Sequence, residues 1–229
     1  MVSIEDIKKG VKIYQSLSNK AEIYLYNNIL YKLFNDHSQI ESRERILNIL
    51  HKNPIKECPK IYSLLYEGDL KGYGMEYLKK YKTLRKTKNI NCDLKKEYCH
   101  KIIKIYEYFK KLGFIYYDFH TLNVLVNKND LKLIDIDSVS MYSNEKDITG
   151  KKYLNELVLS ILYDCIFFDY QIYFDKKERY DIQEILCSDL SYSLNKVGSL
   201  EELDYYIDTI NNKKIKEMKK KLPKTIFKR

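Results

Sequence analysis

Glycine and proline are scarce in this chain, at seven and three among 229 residues. So few chain-breakers leave little room for linkers, collagen-like repeats or low-complexity loops, and no internal repeat is present. Cysteine is limited to five residues, Cys58, Cys92, Cys99, Cys165 and Cys187, with no C-x-x-C pair. That odd, scattered set argues against a disulfide framework and for free thiols in a reducing cytoplasm. The four histidines, His37, His51, His100 and His120, show no ligand spacing, so a zinc site is not expected. No apolar leader opens the chain. The longest hydrophobic run, near Leu157 to Phe168, contains Asp164 and is too short to span a bilayer. These absences point to a cytoplasmic protein without a transmembrane segment.

What is present is enough for a substantial core. Hydrophobic residues make up 45% of the chain, and the 23 tyrosines interleave with apolar positions, where they supply amphipathic packing. Charge is placed unevenly. Residues 211–229 carry nine Lys and Arg against Glu217, so +8 of the formal +9 lies in this tail and the remainder is almost neutral. A basic end of this kind suits an anionic partner. No nucleic-acid module with base-reading aromatics accompanies it, so sequence-specific nucleic-acid binding is not predicted.

Local patterns predict a β-rich first third. Val11 to Tyr14, Ala21 to Tyr26 and Ile29 to Phe34 read as strands joined at Ser16-Leu17-Ser18-Asn19 and at Asn27-Asn28. Lys32 sits within the third, apolar strand, where a buried amine requires an anionic partner. A helix is predicted over 38–51, with Glu41 and Glu44 three residues apart on one side. Residues 61–67 and 71–78 read as a hairpin turning at Gly68-Asp69. A long helix follows, from an Asp93 N-cap to Leu112, stopped by Gly113.

The most informative stretch comes next. Asp118 precedes Asn123 by five residues in Tyr116-Tyr117-Asp118-Phe119-His120-Thr121-Leu122-Asn123. Val124-Leu125-Val126 and Leu131 to Ile134 then form a predicted hairpin around Asn127-Lys128-Asn129-Asp130, ending on Asp135. A hairpin returns Asp135 towards the region of Asp118 and Asn123. Two acids and a carboxamide are the hard oxygen groups that orient a hydroxyl and ligate magnesium on phosphates.

This order of elements, over roughly residues 11–170, resembles the protein kinase-like superfamily. The resemblance implies an α+β, two-lobed fold: an N-lobe over 1–78 with an antiparallel sheet, a reduced helical C-lobe over 79–210, and the basic tail. It implies ATP with magnesium, or manganese in its place, and transfer of the γ-phosphate to a hydroxyl. Lys32 would hold the α- and β-phosphates, and Glu44, rather than Glu41, would pair with Lys32. Ser18 and Asn19 would cover the phosphates. Met75 would stand as gatekeeper of a hinge in which Glu76 and Leu78 present backbone groups to adenine. Asp118 would act as the positioned base, His120 would lie near the γ-phosphate, and Asn123 and Asp135 would ligate the metal. Asp137 would either assist a second metal or cap the following turn.

Departures from the family pattern bear on the acceptor. His120 matches aminoglycoside and choline kinase-like members, where protein kinases carry Lys. Tyr116-Tyr117 replaces the usual His-Arg or His-Gly, Asp137 replaces the Gly of Asp-Phe-Gly, and the roof over 16–20 lacks glycine. No Ala-Pro-Glu closes an activation segment, and a buried helix is predicted over 154–168. The hinge and the hydroxyls of 138–149 favour a protein Ser, Thr or Tyr acceptor with self-modification. A small-molecule acceptor, or a nucleotide-binding module without turnover, are the alternatives.

Overall fold

A computed structural model describes residues 2–15, 20–36, 38–87, 90–163, 165 and 199–221. It is an α+β protein that divides into two compact units. The first comprises 1–81 and 125–141, and the second 82–124 and 142–229. The hairpin after Asn123, assigned by sequence to the helical part, thus belongs with the first unit.

The first unit is built on a five-stranded antiparallel sheet in the order β1-β2-β3-β5-β4. Its strands are β1 (Val11–Gln15), β2 (Ala21–Tyr26), β3 (Ile29–Phe34), β4 (Ile61–Glu67) and β5 (Asp69–Glu76). A short helix α1 (Ile4–Lys8), not foreseen from sequence, precedes them and buries Ile7. The β2–β3 turn is Asn27-Asn28, at φ 48° and 62°. Positive φ at both central residues is what a two-residue hairpin turn requires, and asparagine tolerates it better than most side chains. Gly68, at φ 75°, makes the corresponding turn between β4 and β5.

Strand β3 is buried on both faces, which explains its near-continuous apolar run. On one face Tyr31 and Leu33 join Ile7, Tyr24 and Leu65 in a core cluster. Opposite them in register on β5 stand Gly74 and Gly72. A Cβ on Gly72 would lie 2.2 Å from the Lys32 carbonyl oxygen, so this close strand approach admits only glycine. On the other face Lys32 pairs directly across from Tyr73. Helix α2 (Ile40–Lys52) buries Ile46, Leu47 and Leu50.

Hairpin β8 (Val124–Asn127) and β9 (Asp130–Leu133) turns at Lys128-Asn129, with Lys128 at φ 52°. In β9, Leu131 and Leu133 are buried while Lys132 is partly exposed, the alternation of a strand covered on one face. The hairpin is fixed within the first unit by the Leu133 amide donating to the Glu57 carbonyl (2.7 Å) and by Lys132 donating to the Lys56 carbonyl (2.6 Å). Tyr81 donates its hydroxyl to Asp130, and burial beside that carboxylate pushes the phenol up to about 12. Strand β10 (Val139–Met141) follows.

The second unit begins with β6 (Lys82–Thr83) and is mainly helical. Helix α3 (Cys92–Lys111) is capped by Asn91, whose side chain accepts from the Leu94 amide, and not by Asp93 as predicted. The first residue of β-region backbone before the helix holds the cap, and Asp93 instead lies in the first turn, where its charge suits the helix dipole. Tyr98, Cys99, Ile102, Ile103, Ile105, Tyr106 and Phe109 form the buried face of α3. Burial of each large apolar side chain among them contributes about 1.5–3 kcal/mol. Gly113, at φ 82°, ends the helix and leads into β7 (Phe114–Tyr116).

Helix α4 (Asn144–Tyr163) starts ten residues before the predicted helix over 154–168, whose end lies outside the described residues. Polar residues of its first turns hide the beginning from a hydropathy reading. Asp147 is nonetheless buried, because it accepts from Tyr106 (2.7 Å) and Lys110 (2.8 Å). Helices α5 (Leu200–Thr209) and α6 (Asn212–Lys221) complete the unit. A capping box, Ser199 with Glu202, starts α5. The first half of the basic tail is therefore helical. Among the described residues no helix is long and apolar enough to cross a membrane.

Candidate functional site

In the first unit the predicted buried amine finds its anions. Lys32, only 8% exposed, is held by two carboxylates, those of Asp135 and Asp137. It donates to Asp137 at 2.8 Å (Oδ1) and 3.0 Å (Oδ2) and makes a further short contact to Asp135 Oδ1. The register of the sheet explains the position: Tyr73, directly opposite Lys32 on β5, aims its hydroxyl at the same group and donates to Asp137 Oδ1 at 2.8 Å. Burial works against the Lys32 charge, but Asp137 and Asp135 outweigh it and its pKa is raised.

Asp135 and Asp137 arrive from the end of the β8–β9 hairpin, with Ile136 fully buried between them. Asp135 is in the left-handed region, at φ 58°. This conformation is uncommon outside glycine and is tolerated here by an aspartate with local hydrogen bonds. Ser138 donates its hydroxyl to Asp135 Oδ2 (3.0 Å) and its amide to the Asp135 carbonyl (3.0 Å). The Asp135 side chain is 31% exposed, against 3% for Asp137. Burial raises the Asp135 pKa, although the Lys32 ammonium opposes the shift.

The predicted ion pair between Lys32 and Glu44 is corrected by the structure. Glu44 accepts a hydrogen bond from the Tyr66 hydroxyl (3.0 Å), and Glu41 is exposed. Helix α2 contributes Arg43 instead, whose Nε lies 3.9 Å from Asp137 Oδ2 and whose guanidinium stacks 5.0 Å from the Phe34 ring. Spacing along a helix cannot say which of two adjacent residues faces the sheet, and here Arg43 does so. Asp137 therefore accepts hydrogen bonds from β3 and β5 and faces the Arg43 charge of α2.

The second unit holds the other predicted group together. The Asn123 carboxamide nitrogen donates to Asp118 Oδ2 (2.8 Å) and to the Asp118 carbonyl (3.1 Å). Spending Nδ2 in this way leaves the Asn123 oxygen as the acceptor end. His120 Nε2 lies 3.1 Å from Asp118 Oδ1. Asp118 and His120 are both part-exposed, at 40% and 44% of their side chains, while Asn123 is buried.

Tyr116, whose place in the sequence carried no recognised role, is the pillar of this loop. Fully buried, it stacks on Phe109 (6.0 Å) and meets the edge of Phe119 (4.7 Å). Its hydroxyl donates to the Asp118 carbonyl at 3.1 Å and lies 3.4 Å from Asn123 Nδ2. The Asn123 amide closes the turn on the His120 carbonyl (2.9 Å).

The hinge-like residues have defined backbone engagements. Met75 is buried at the end of β5. The Glu76 amide donates to the Lys60 carbonyl (2.9 Å), and the Leu78 carbonyl accepts from the Tyr81 amide (2.9 Å). The Glu76 carboxylate lies 3.8 Å from Lys132. Ser18 and Asn19 lie outside the described residues. Among the described residues no group of three or more His, Cys, Asp or Glu side chains is placed to hold a metal ion. A search of protein-family models and of curated proteins found no match to this chain.

Proposed function

We propose that this chain is a protein kinase-like phosphotransferase that moves the γ-phosphate of ATP to a hydroxyl, with a protein Ser, Thr or Tyr side chain as the acceptor. The observation that carries this reading is the pairing of a buried strand lysine with Asp135, a carboxylate delivered by a distant hairpin and held in left-handed backbone. A structural ion pair needs neither the separation of 103 residues nor the unusual φ. Phosphoryl transfer needs a fixed cation for phosphate and a carboxylate for metal side by side.

In this reading Lys32 would bind the α- and β-phosphates, Asp135 would be the carboxylate ligand of magnesium, and the Asn123 oxygen would be the second-unit group offered to the metal. The donor set fits: magnesium is usually held by one or two carboxylates together with substrate phosphates, not by a cage of protein ligands. When bound, magnesium would supply positive charge to neutralise the phosphates. Asp118 receives the acceptor hydroxyl, with its carboxylate oriented by Asn123 and its backbone by Tyr116. The adenine edge would use the Glu76 carbonyl and the Leu78 amide.

His120 beside Asp118 favours a second reading, a small-molecule acceptor of the aminoglycoside or choline type. Intact mass after incubation with ATP and magnesium separates the two, with Asp118→Asn alongside. Mass gained in phosphate steps by the unsubstituted chain alone supports the protein-directed kinase. Magnesium-dependent ATP binding without mass gain moves the weight to a small-molecule acceptor, and no ATP binding at all ends the phosphotransferase reading.

A further inference from the structure

Lys32 and the helix beside it carry an arrangement of charge that the phosphotransferase reading does not itself require. Helix α2 brings a cation towards the lysine's neighbourhood. The buried anion comes from the residue two places after Asp135. We propose that Asp137 is the positioning residue for Lys32, and that α2 supports it from the far side through Arg43, not through Glu44. The inference rests on the reading of Lys32 as the phosphate-binding amine and deepens it.

The geometry for this role is specific. Asp137 engages Lys32 with both oxygens, at 2.8 and 3.0 Å, and accepts from Tyr73 at 2.8 Å. Lys32 and Tyr73 are register partners on adjacent central strands, so two donors fixed by the sheet define where the carboxylate sits. With Asp137 only 3% exposed, its charge is tolerable because those donors surround it. Asp135 is differently placed: more exposed, with one oxygen on Lys32 and the other on Ser138. Of the two acids, Asp135 can turn to a metal while Asp137 keeps the amine in place. Glu44 is engaged elsewhere, by Tyr66.

A functional consequence follows. A lysine whose counter-ion sits on a mobile helix loses its partner when that helix swings. Here the counter-ion belongs to the same turn as the metal-type carboxylate, so a displacement of α2 removes only the 3.9 Å contact from Arg43 and leaves the Lys32–Asp137 pair intact. Positioning of the amine is thus coupled to the hairpin end instead of to the helix.

The test compares the full chain with Asp137→Asn, Asp137→Glu and Glu44→Gln. Trace acetylation by acetic anhydride is read on the Lys32 peptide by mass spectrometry, with exposed Lys9 as the internal reference. Affinity for magnesium-ATP is measured on the same proteins. Asp137→Asn should raise Lys32 labelling severalfold, because the amine loses the carboxylate whose two oxygens both engage it. It should also weaken nucleotide binding, Asp137→Glu should recover part of both, and Glu44→Gln should change neither. Increased Lys32 labelling or weakened binding in Glu44→Gln would overturn the proposal, and this exposed-side change is readable even where Asp137→Asn does not fold. Absence of nucleotide binding by the unsubstituted chain would remove the phosphate role of Lys32, while the labelling comparison would still decide which acid holds the amine.

Discussion

Removing the Lys32 ammonium is the most incisive perturbation of this protein. In Lys32→Met the side-chain volume is kept, but Asp137 is left with Tyr73 and with Arg43 at 3.9 Å, and Asp135 is left with Ser138. Lys32 is nearly buried and Asp137 still more so, so breaking the pair leaves an uncompensated charge, at a cost of about 3–5 kcal/mol. The pH dependence gives a sharper signature. Burial already raises the Asp135 pKa while Lys32 lowers it, so loss of Lys32 raises it further. The folded variant then keeps the Asp135 proton to higher pH than the unfolded chain, which titrates near 3.9. A folded-state pKa raised above the unfolded value gives stability that is present at low pH and lost as pH rises through the folded pKa. The penalty of Lys32→Met should therefore shrink as the pH is lowered from 8 to 4, by about 1.4 kcal/mol for each unit of additional shift. Urea denaturation of both proteins across that range measures it. Adding Asp137→Asn should recover at least about 1 kcal/mol of coupling in a double-mutant cycle. A penalty below about 1 kcal/mol, or one that does not vary with pH, would refute the assignment of Lys32 as the counter-charge of these two acids.

Further consequences are equally direct. Gly72→Ala places a Cβ 2.2 Å from the Lys32 carbonyl, so it should destabilise by at least the 1–3 kcal/mol typical of overpacking, roughly, as measured by denaturation. It should also weaken ATP binding, because β3 must move. Asp135→Ala should abolish magnesium-dependent nucleotide binding in calorimetric titration, and retention of normal affinity would remove Asp135 from the metal. Tyr116→Phe removes the donor to the Asp118 carbonyl at a cost of about 1 kcal/mol. It should lower phosphate transfer more than ATP affinity, and equal loss of both would show that the hydroxyl only supports the fold. Asn91→Ala should cost about 1 kcal/mol through the lost α3 cap, with no effect on nucleotide binding.

The fold was largely legible wherever local chemistry and burial agree. Strands β2 and β3 fall within the predicted limits because Asn27-Asn28 specifies a tight turn and the flanking runs are apolar or aromatic. The hairpin β4–β5 is marked by Gly68 in the same way. Elements whose stability comes from elsewhere in the unit were not visible. Helix α1 is five residues long with one buried side chain, and the polar beginning of α4 is kept helical by Asp147, whose partners Tyr106 and Lys110 lie on α3. Neither has a periodic apolar stripe to announce it.

The candidate site divides along a similar line. Lys32 was legible because a lysine in an apolar strand calls for an anion, and Asp118 with Asn123 because a five-residue spacing in a tight loop lets a carboxamide reach back to a carboxylate. Which anion answers Lys32 was not legible. Glu44 and Asp137 are both plausible by charge, and the choice is made by strand register, which puts Tyr73 opposite Lys32 and so creates a second donor aimed at one point. A carboxylate with two sheet-fixed donors is more completely satisfied than one drawn from a helix with a single ammonium, and a buried charge goes where its hydrogen bonds can all be made. Once Asp137 fills that point, a second carboxylate from α2 would repel it, whereas Arg43 stabilises it. The sign of the residue that α2 presents to the sheet is thus fixed by a turn more than ninety residues later, a dependence that no local pattern in either segment contains.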